Sequence, residues 1–143
     1  MKNIFALLLA VSFGFVSLAQ ESQAKITFKT ETIDYGTIEK SSNGVRVFEF
    51  TNTGNAPLVI TDVKSSCGCT IPKKPEKPIM PGENGVIEVK YDTKRVAPFR
   101  KTITVTSNAE RSTVALKIKG TVVDSEAGDG IMDKKKTSVI KNN

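Results

Sequence analysis

The sequence predicts an all-β fold, an antiparallel sandwich of about seven strands, and three observations carry that prediction. Apolar and polar residues alternate with period two from about residue 25 to residue 123, and no stretch shows helical spacing. The alternating runs are short. Each ends in a cluster drawn from Gly, Pro, Asn and Asp, the residues that turns select. Short strands at regular intervals, with such turns between them, pack as two sheets that face each other across an apolar core.

Ile26 and Phe28 alternate in the opening strand, followed by Ile33 and Tyr35 before the turn residue Gly36. Val45 to Thr51 sets Phe48 and Phe50 on one face and Val47 and Glu49 on the other, because successive strand side chains point to opposite faces. Asn52-Thr53-Gly54-Asn55-Ala56-Pro57 ends that run as a turn. Leu58, Val59, Ile60 and Val63 form the next strand, which leads straight into Cys67 and Cys69. Pro72, Pro75 and Pro78 interrupt pairing, so Cys67 to Gly85 is expected to be one long, basic, proline-rich loop. Ile87, Val89 and Tyr91 then alternate with Glu88, Lys90 and Asp92, and Phe99, Ile103 and Val105 follow Pro98. The last strand places Val114, Leu116, Ile118 and Val122 on one face and Lys117 and Lys119 on the other. The Phe and branched aliphatic positions supply the core of an immunoglobulin-like sandwich. The absence of tryptophan, and of a cysteine pair spaced to bridge two sheets, sets it apart from antibody-type domains.

Residues 1–19 read as an export leader. Lys2 gives a positive start, Ile4 to Val16 is apolar apart from Ser12 and Gly14, and Ser17-Leu18-Ala19 favours cleavage before Gln20. The apolar run is short for a bilayer core of about 30 Å, and polar sequence follows at once, so no transmembrane segment is expected after cleavage. The expected organisation is a leader over 1–19, a sandwich over 20–123 and a flexible polar tail over 124–143. The product would be exported, either periplasmic or extracellular. A chain of this size buries about two-thirds of its unfolded surface, which suffices for a core without staples.

The whole chain carries a formal charge of +6. The basic residues are dispersed, tryptophan is absent and there are two tyrosines, a poor basis for stacking on nucleic acid. With no histidine, neither a Ser-His-Asp nor a Cys-His arrangement exists, and a conventional four-ligand zinc site has too few donors. Glu88 and Asp92 lie on the solvent side of their strand, and Glu83 precedes them in a turn, so these carboxylates read as solvated charges. The composition points away from an enzyme.

Asp34-Tyr35-Gly36-Thr37-Ile38, Phe48-Glu49-Phe50-Thr51-Asn52-Thr53-Gly54, Pro57-Leu58-Val59-Ile60, Ser66-Cys67-Gly68-Cys69-Thr70, Pro81-Gly82 and Ser107-Asn108 occur in that order. Over roughly residues 26–123 this pattern resembles the exported bacterial family known as the domain of unknown function numbered 1573. That family is itself similar to immunoglobulin-like modules of the major sperm protein and cilia-associated types. The resemblance implies a fold and an export habit, and it supplies no activity.

The specific chemistry that remains lies with Cys67 and Cys69. Residues i and i+2 of a regular strand sit about 6.5–7 Å apart, at the limit for a disulfide, but Gly68 between them can take positive φ and fold the thiols together. Such a bond closes a three-residue loop and contributes only about 1.6 kcal/mol of chain-entropy stabilisation. Three readings stay open. The cysteines are small residues at a bend, or a labile redox pair with Lys64 favouring the thiolate, or two thiolates that bind copper(I) with Met80 as an extra soft ligand. For partner recognition the loop carrying Lys73, Lys74 and Lys77 is the expected contact surface. A pilus-chaperone variant would use Lys29, Lys117 and Lys119 to hold a client carboxylate. The expectation is therefore an exported, non-enzymatic protein-binding or envelope-assembly module, with thiol redox or copper(I) binding as the alternative.

Overall fold

The computed structural model describes residues 21–125, so the expected leader and residues 126–143 of the expected tail lie outside the described residues. Eight strands form among them: β1 (Ile26–Phe28), β2 (Thr32–Glu39), β3 (Val45–Asn52), β4 (Ile60–Ser65), β5 (Thr70–Lys73), β6 (Asn84–Tyr91), β7 (Pro98–Ser107) and β8 (Thr113–Val123). They make two four-stranded sheets, ordered β1-β3-β6-β5 and β2-β8-β7-β4. The all-β sandwich is the expected one.

Two features differ from the expectation of about seven antiparallel strands. First, β2 pairs with β8 in parallel, from Thr32 opposite Lys117 to Glu39 opposite Val123. The chain leaves β1 in one sheet and enters β2 in the other across Lys29-Thr30-Glu31, too short a crossing to turn it back. Alternation reports which face a side chain takes and carries no information about a neighbour's direction. Second, the expected loop after the cysteines contains β5, paired with β6 from Thr70 opposite Tyr91 to Lys73 opposite Glu88. The Asp92 N–H donates to the Cys69 carbonyl at 2.9 Å and sets the parity of this ladder. Ile71 and Lys73 then turn their backbone groups to β6, while Pro72 faces the open edge, where no N–H is required.

The core follows the alternation. Phe48, Phe50, Leu58, Ile87, Val89, Ile103, Val105, Leu116, Ile118 and Val122 are all buried between the sheets. Gly85 exists where it does because the Phe50 ring fills its side-chain position: an added Cβ would lie 2.3 Å from Phe50 Cζ. Leu58 pairs outside β4, exchanging backbone hydrogen bonds with Ile79 at 2.9 and 2.8 Å. Asp124 and Ser125, the first two residues of the expected tail, are held against β2. The Lys40 Nζ donates to Asp124 Oδ2 at 2.7 Å, and the Ser125 hydroxyl donates to Glu39 Oε2 at 2.8 Å.

Candidate functional site

Most of the motif residues are consumed in holding the fold. Asn52 is fully buried at the end of β3, and its amide ties three segments together. Its Nδ2 donates to the carbonyls of Ala56 (2.8 Å) and Ile79 (2.9 Å), and its Oδ1 accepts from the N–H groups of Gly54 (3.0 Å) and Lys25 (3.4 Å). Asn108 performs the same service, its Oδ1 accepting from Val59 N–H at 2.7 Å and its Nδ2 donating to the Pro57 carbonyl at 3.0 Å. Asp34 accepts from Gly36 N–H at 2.8 Å and pairs with Lys119 Nζ at 3.0 Å, and these two contacts hold its carboxyl below the usual range. Tyr35 packs edge-on against Phe99 and donates to the Gly44 carbonyl at 3.0 Å; burial pushes its phenol up to about 12.

The cysteines occupy a different kind of position. They lie where the chain leaves β4, at the edge of one sheet, and enters β5, at the edge of the other. Thr70 N–H donates to the Cys67 carbonyl at 3.4 Å, which makes Cys67 to Thr70 a hydrogen-bonded turn. The turn brings the two Cα atoms to 5.4 Å, and the sulfurs are joined as a disulfide. Gly68 plays a smaller part than expected. Positive-φ glycines are Gly36 and Gly82, and no atom lies within 4 Å of the Gly68 Cβ position, so the turn closes with ordinary backbone geometry.

Two further expectations about this corner are corrected. The Lys64 Nζ pairs with Asp62 Oδ2 at 2.9 Å, and that carboxylate raises its pKa, so its charge is engaged away from the thiols. Met80 belongs to the other end of β6, since its carbonyl accepts from Glu83 N–H, beside Asn84, whereas Cys69 meets Asp92 just beyond Tyr91. The seven steps from Asn84 to Tyr91, at about 3.4 Å each, separate the ends by about 24 Å, so Met80 is no ligand partner for the cysteines. A copper(I) ion at this corner would depend on the two thiolates, which the disulfide ties up.

Sequence reading missed two groups here. Thr70 is 3 % exposed, and its Oγ1 lies 3.7 Å from Cys67 Sγ and 3.9 Å from Cys69 Sγ. A disulfide sulfur has no hydrogen, so the hydroxyl is the donor. Lys101 is the second. Ser65 pairs with Ile103 and Ser66 N–H donates to the Thr102 carbonyl at 2.9 Å, so Lys101 is the β7 residue next beyond the point where the chain leaves β4 for the cysteine turn. Thr70 was legible as the cysteine's neighbour; Lys101 is reached only through strand register.

The three loop lysines share one groove but have unlike roles. Lys73 ends β5 opposite Glu88, Lys74 Nζ donates to the Ile60 carbonyl of β4 at 3.2 Å, and Lys77 is exposed. With Pro75, Glu76, Ile79, Val86 and Glu88 they line an open groove of about 520 Å³. The adjoining outer face of β1-β3-β6-β5 carries Val47, Val86 and Ile71, which are 43 %, 50 % and 66 % exposed. In the strands of the other sheet, no large apolar side chain among the described residues is comparably exposed. Lys29 and Lys119 are each paired with a carboxylate, Glu49 and Asp34 respectively, so two of the three lysines proposed for a client carboxylate already hold one.

This architecture defines an immunoglobulin-like, PapD-like sandwich. Residues 26–122 match the family described as protein of unknown function (DUF1573), and the chain belongs to that family. No curated protein sequence matches it. Among solved structures it is similar to a protein of unknown function from Porphyromonas gingivalis W83, at 16 % identity and TM-score 0.64. That match covers 76 % of this chain and 51 % of the other, so the chain spans about half the length of that relative. The ASH/PapD-like domain 7 of human CEP192 matches at 9 % identity and TM-score 0.60, over 80 % of this chain and 96 % of that one. A chain of the CsuC–CsuE chaperone–tip adhesion subunit pre-assembly complex of Acinetobacter baumannii matches at 11 % identity and TM-score 0.51. It covers 84 % of this chain and 74 % of that one.

Proposed function

We propose that the chain is an exported, non-enzymatic module that binds another protein through the outer face of β1-β3-β6-β5 and the adjoining basic groove. The observation that carries this reading is the one-sided exposure of Val47, Val86 and Ile71. In register Val47 faces Glu88, which in turn faces Lys73, while Glu49 faces Val86 and Lys90 faces Ile71, so apolar contacts alternate with both charge signs. Such a face gives a partner area to bury and charges that fix its orientation. The likeness to a chain of the CsuC–CsuE complex supports the reading at the level of the fold. Strand addition at β5 is disfavoured, because Pro72 presents no N–H to its open edge.

Site-specific photocrosslinking in cells tests the proposal, with the reactive side chain placed at Val86 or, on the opposite face, at Thr104. A defined protein adduct from Val86 that is missing from Thr104 is expected. No adduct from Val86, or the same adducts from both faces, contradicts it. The mass of the product recovered from the cells tests export in parallel, with a chain beginning at Gln20 expected.

A second reading, a periplasmic thiol redox protein, is favoured by a specific observation: a three-residue disulfide at a sheet crossing with a buried hydroxyl against both sulfurs. Capture of copper(I) by the reduced pair is a further use of the same two thiols.

A further inference from the structure

We infer that Cys67–Cys69 is a thiol-exchange site that oxidises a dithiol, and that Thr70 is the residue that poises it. This rests on the thiol redox reading of the corner. Hydrogen bonding at this corner is unbalanced. Thr70 as a residue is 3 % exposed, so its hydroxyl has little access to water, and a buried donor needs an acceptor. Among the described residues, the partners of Thr70 Oγ1 are the two sulfurs of the disulfide. A divalent sulfur is a weak acceptor, whereas a thiolate is an anion, and hydrogen bonds to charged groups are roughly twice as strong as neutral ones. The hydroxyl is therefore better satisfied after the disulfide opens than before, whichever sulfur carries the charge. Most buried hydroxyls are satisfied by a stronger acceptor than a disulfide sulfur. The exchange-inert reading of the two cysteines leaves this geometry without a use.

The chemistry follows from which sulfur is reached. Cys69 packs against the hydrophobic core, so the outer sulfur, Cys67 Sγ, is the one attacked. A thiolate of the partner dithiol attacks Cys67 Sγ, the Cys67–Cys69 bond breaks, and Cys69 Sγ leaves with the electron pair as a thiolate that accepts the Thr70 O–H. The partner's second thiolate then attacks its own sulfur in the mixed disulfide and releases Cys67. The partner ends as a disulfide, the cysteine pair ends reduced, and the two thiol protons of the dithiol pass to the released cysteines or to solvent. The loop is three residues long, so opening it forfeits only about 1.6 kcal/mol of fold stability and leaves the sandwich standing.

The test uses the purified full chain equilibrated in glutathione redox buffers, with the dithiol fraction read by alkylation and intact mass. The wild-type disulfide is expected to open, Thr70→Val to shift the exchange constant about tenfold towards the disulfide, and Thr70→Ser to restore it to within about twofold. A tenfold shift corresponds to about 30 mV. A shift in Thr70→Val that Thr70→Ser fails to reverse, or no shift at all, overturns the role of Thr70. A wild-type disulfide that stays closed at every glutathione ratio overturns the thiol redox reading itself. Far-UV circular dichroism establishes that each variant is folded, and Thr70→Ala takes the place of Thr70→Val if the latter is not.

Discussion

Two corners of the sandwich stand out in the sequence for the same reason, a short motif in a turn, yet they are built in opposite ways. At the Asn52 corner every hydrogen-bonding atom of the buried amide is spent on backbone groups of segments 52–56, 79 and 25. At the Cys67–Thr70 corner a buried hydroxyl meets, among the described residues, only two sulfurs, and the covalent bond it faces closes a loop of three residues. The first arrangement is complete as it stands and changes only by unfolding. The second is left with a donor that a change of redox state would satisfy. Motif prominence therefore does not separate structure from chemistry; the accounting of polar atoms does.

The comparison breaks most readily at the Asn52 corner. Asn52→Ala should cost about 3–5 kcal/mol in urea unfolding, since it strands several buried backbone groups at once. A loss under 1 kcal/mol would mean that the segments hold themselves together without it. Gly85→Ala should cost about 1–3 kcal/mol, because the new Cβ must displace the Phe50 ring. Alkali gives a graded test of the aromatic corner. The unfolded chain releases the Tyr35 proton near pH 10, while the folded chain holds it until about 12. Between those values the unfolded state binds fewer protons, so stability should fall with rising pH by up to about 1.4 kcal/mol per unit. Tyr35→Phe should remove that contribution to the slope and, through loss of the bond to Gly44, about 1 kcal/mol at neutral pH. The smallest effect sharpens the other corner. Gly68→Ala should change stability by less than about 0.5 kcal/mol and leave the disulfide able to form, since its backbone is ordinary and its Cβ position is open.

The alternation of β3, β6, β7 and β8 was plainly written in the sequence, because each strand buries one face and period-two patterning records burial directly. Pairing direction was not, and β2 joins β8 in parallel for reasons that lie in the chain's path between sheets. Strand β5 was hidden by its own proline: Pro72 reads as a breaker, yet on an open edge it lacks only a donor that nothing there requires. The candidate site was half legible. Cys67 and Cys69 are legible by residue type, whereas Thr70 matters through what it faces, and facing depends on the turn. Nearness in sequence points to Lys64 and ligand type to Met80, but geometry engages one with Asp62 and sends the other to the far end of β6.

The most direct measurement is denaturant unfolding of the full chain with Cys67–Cys69 oxidised and then reduced. A corner built for exchange predicts that the reduced protein stays folded, unfolds cooperatively with an unchanged m value, and loses no more than about 1.6 kcal/mol. Loss of the cooperative transition, or a penalty above about 4 kcal/mol, would show that the bond is a staple of the sandwich and would contradict the division between the two corners.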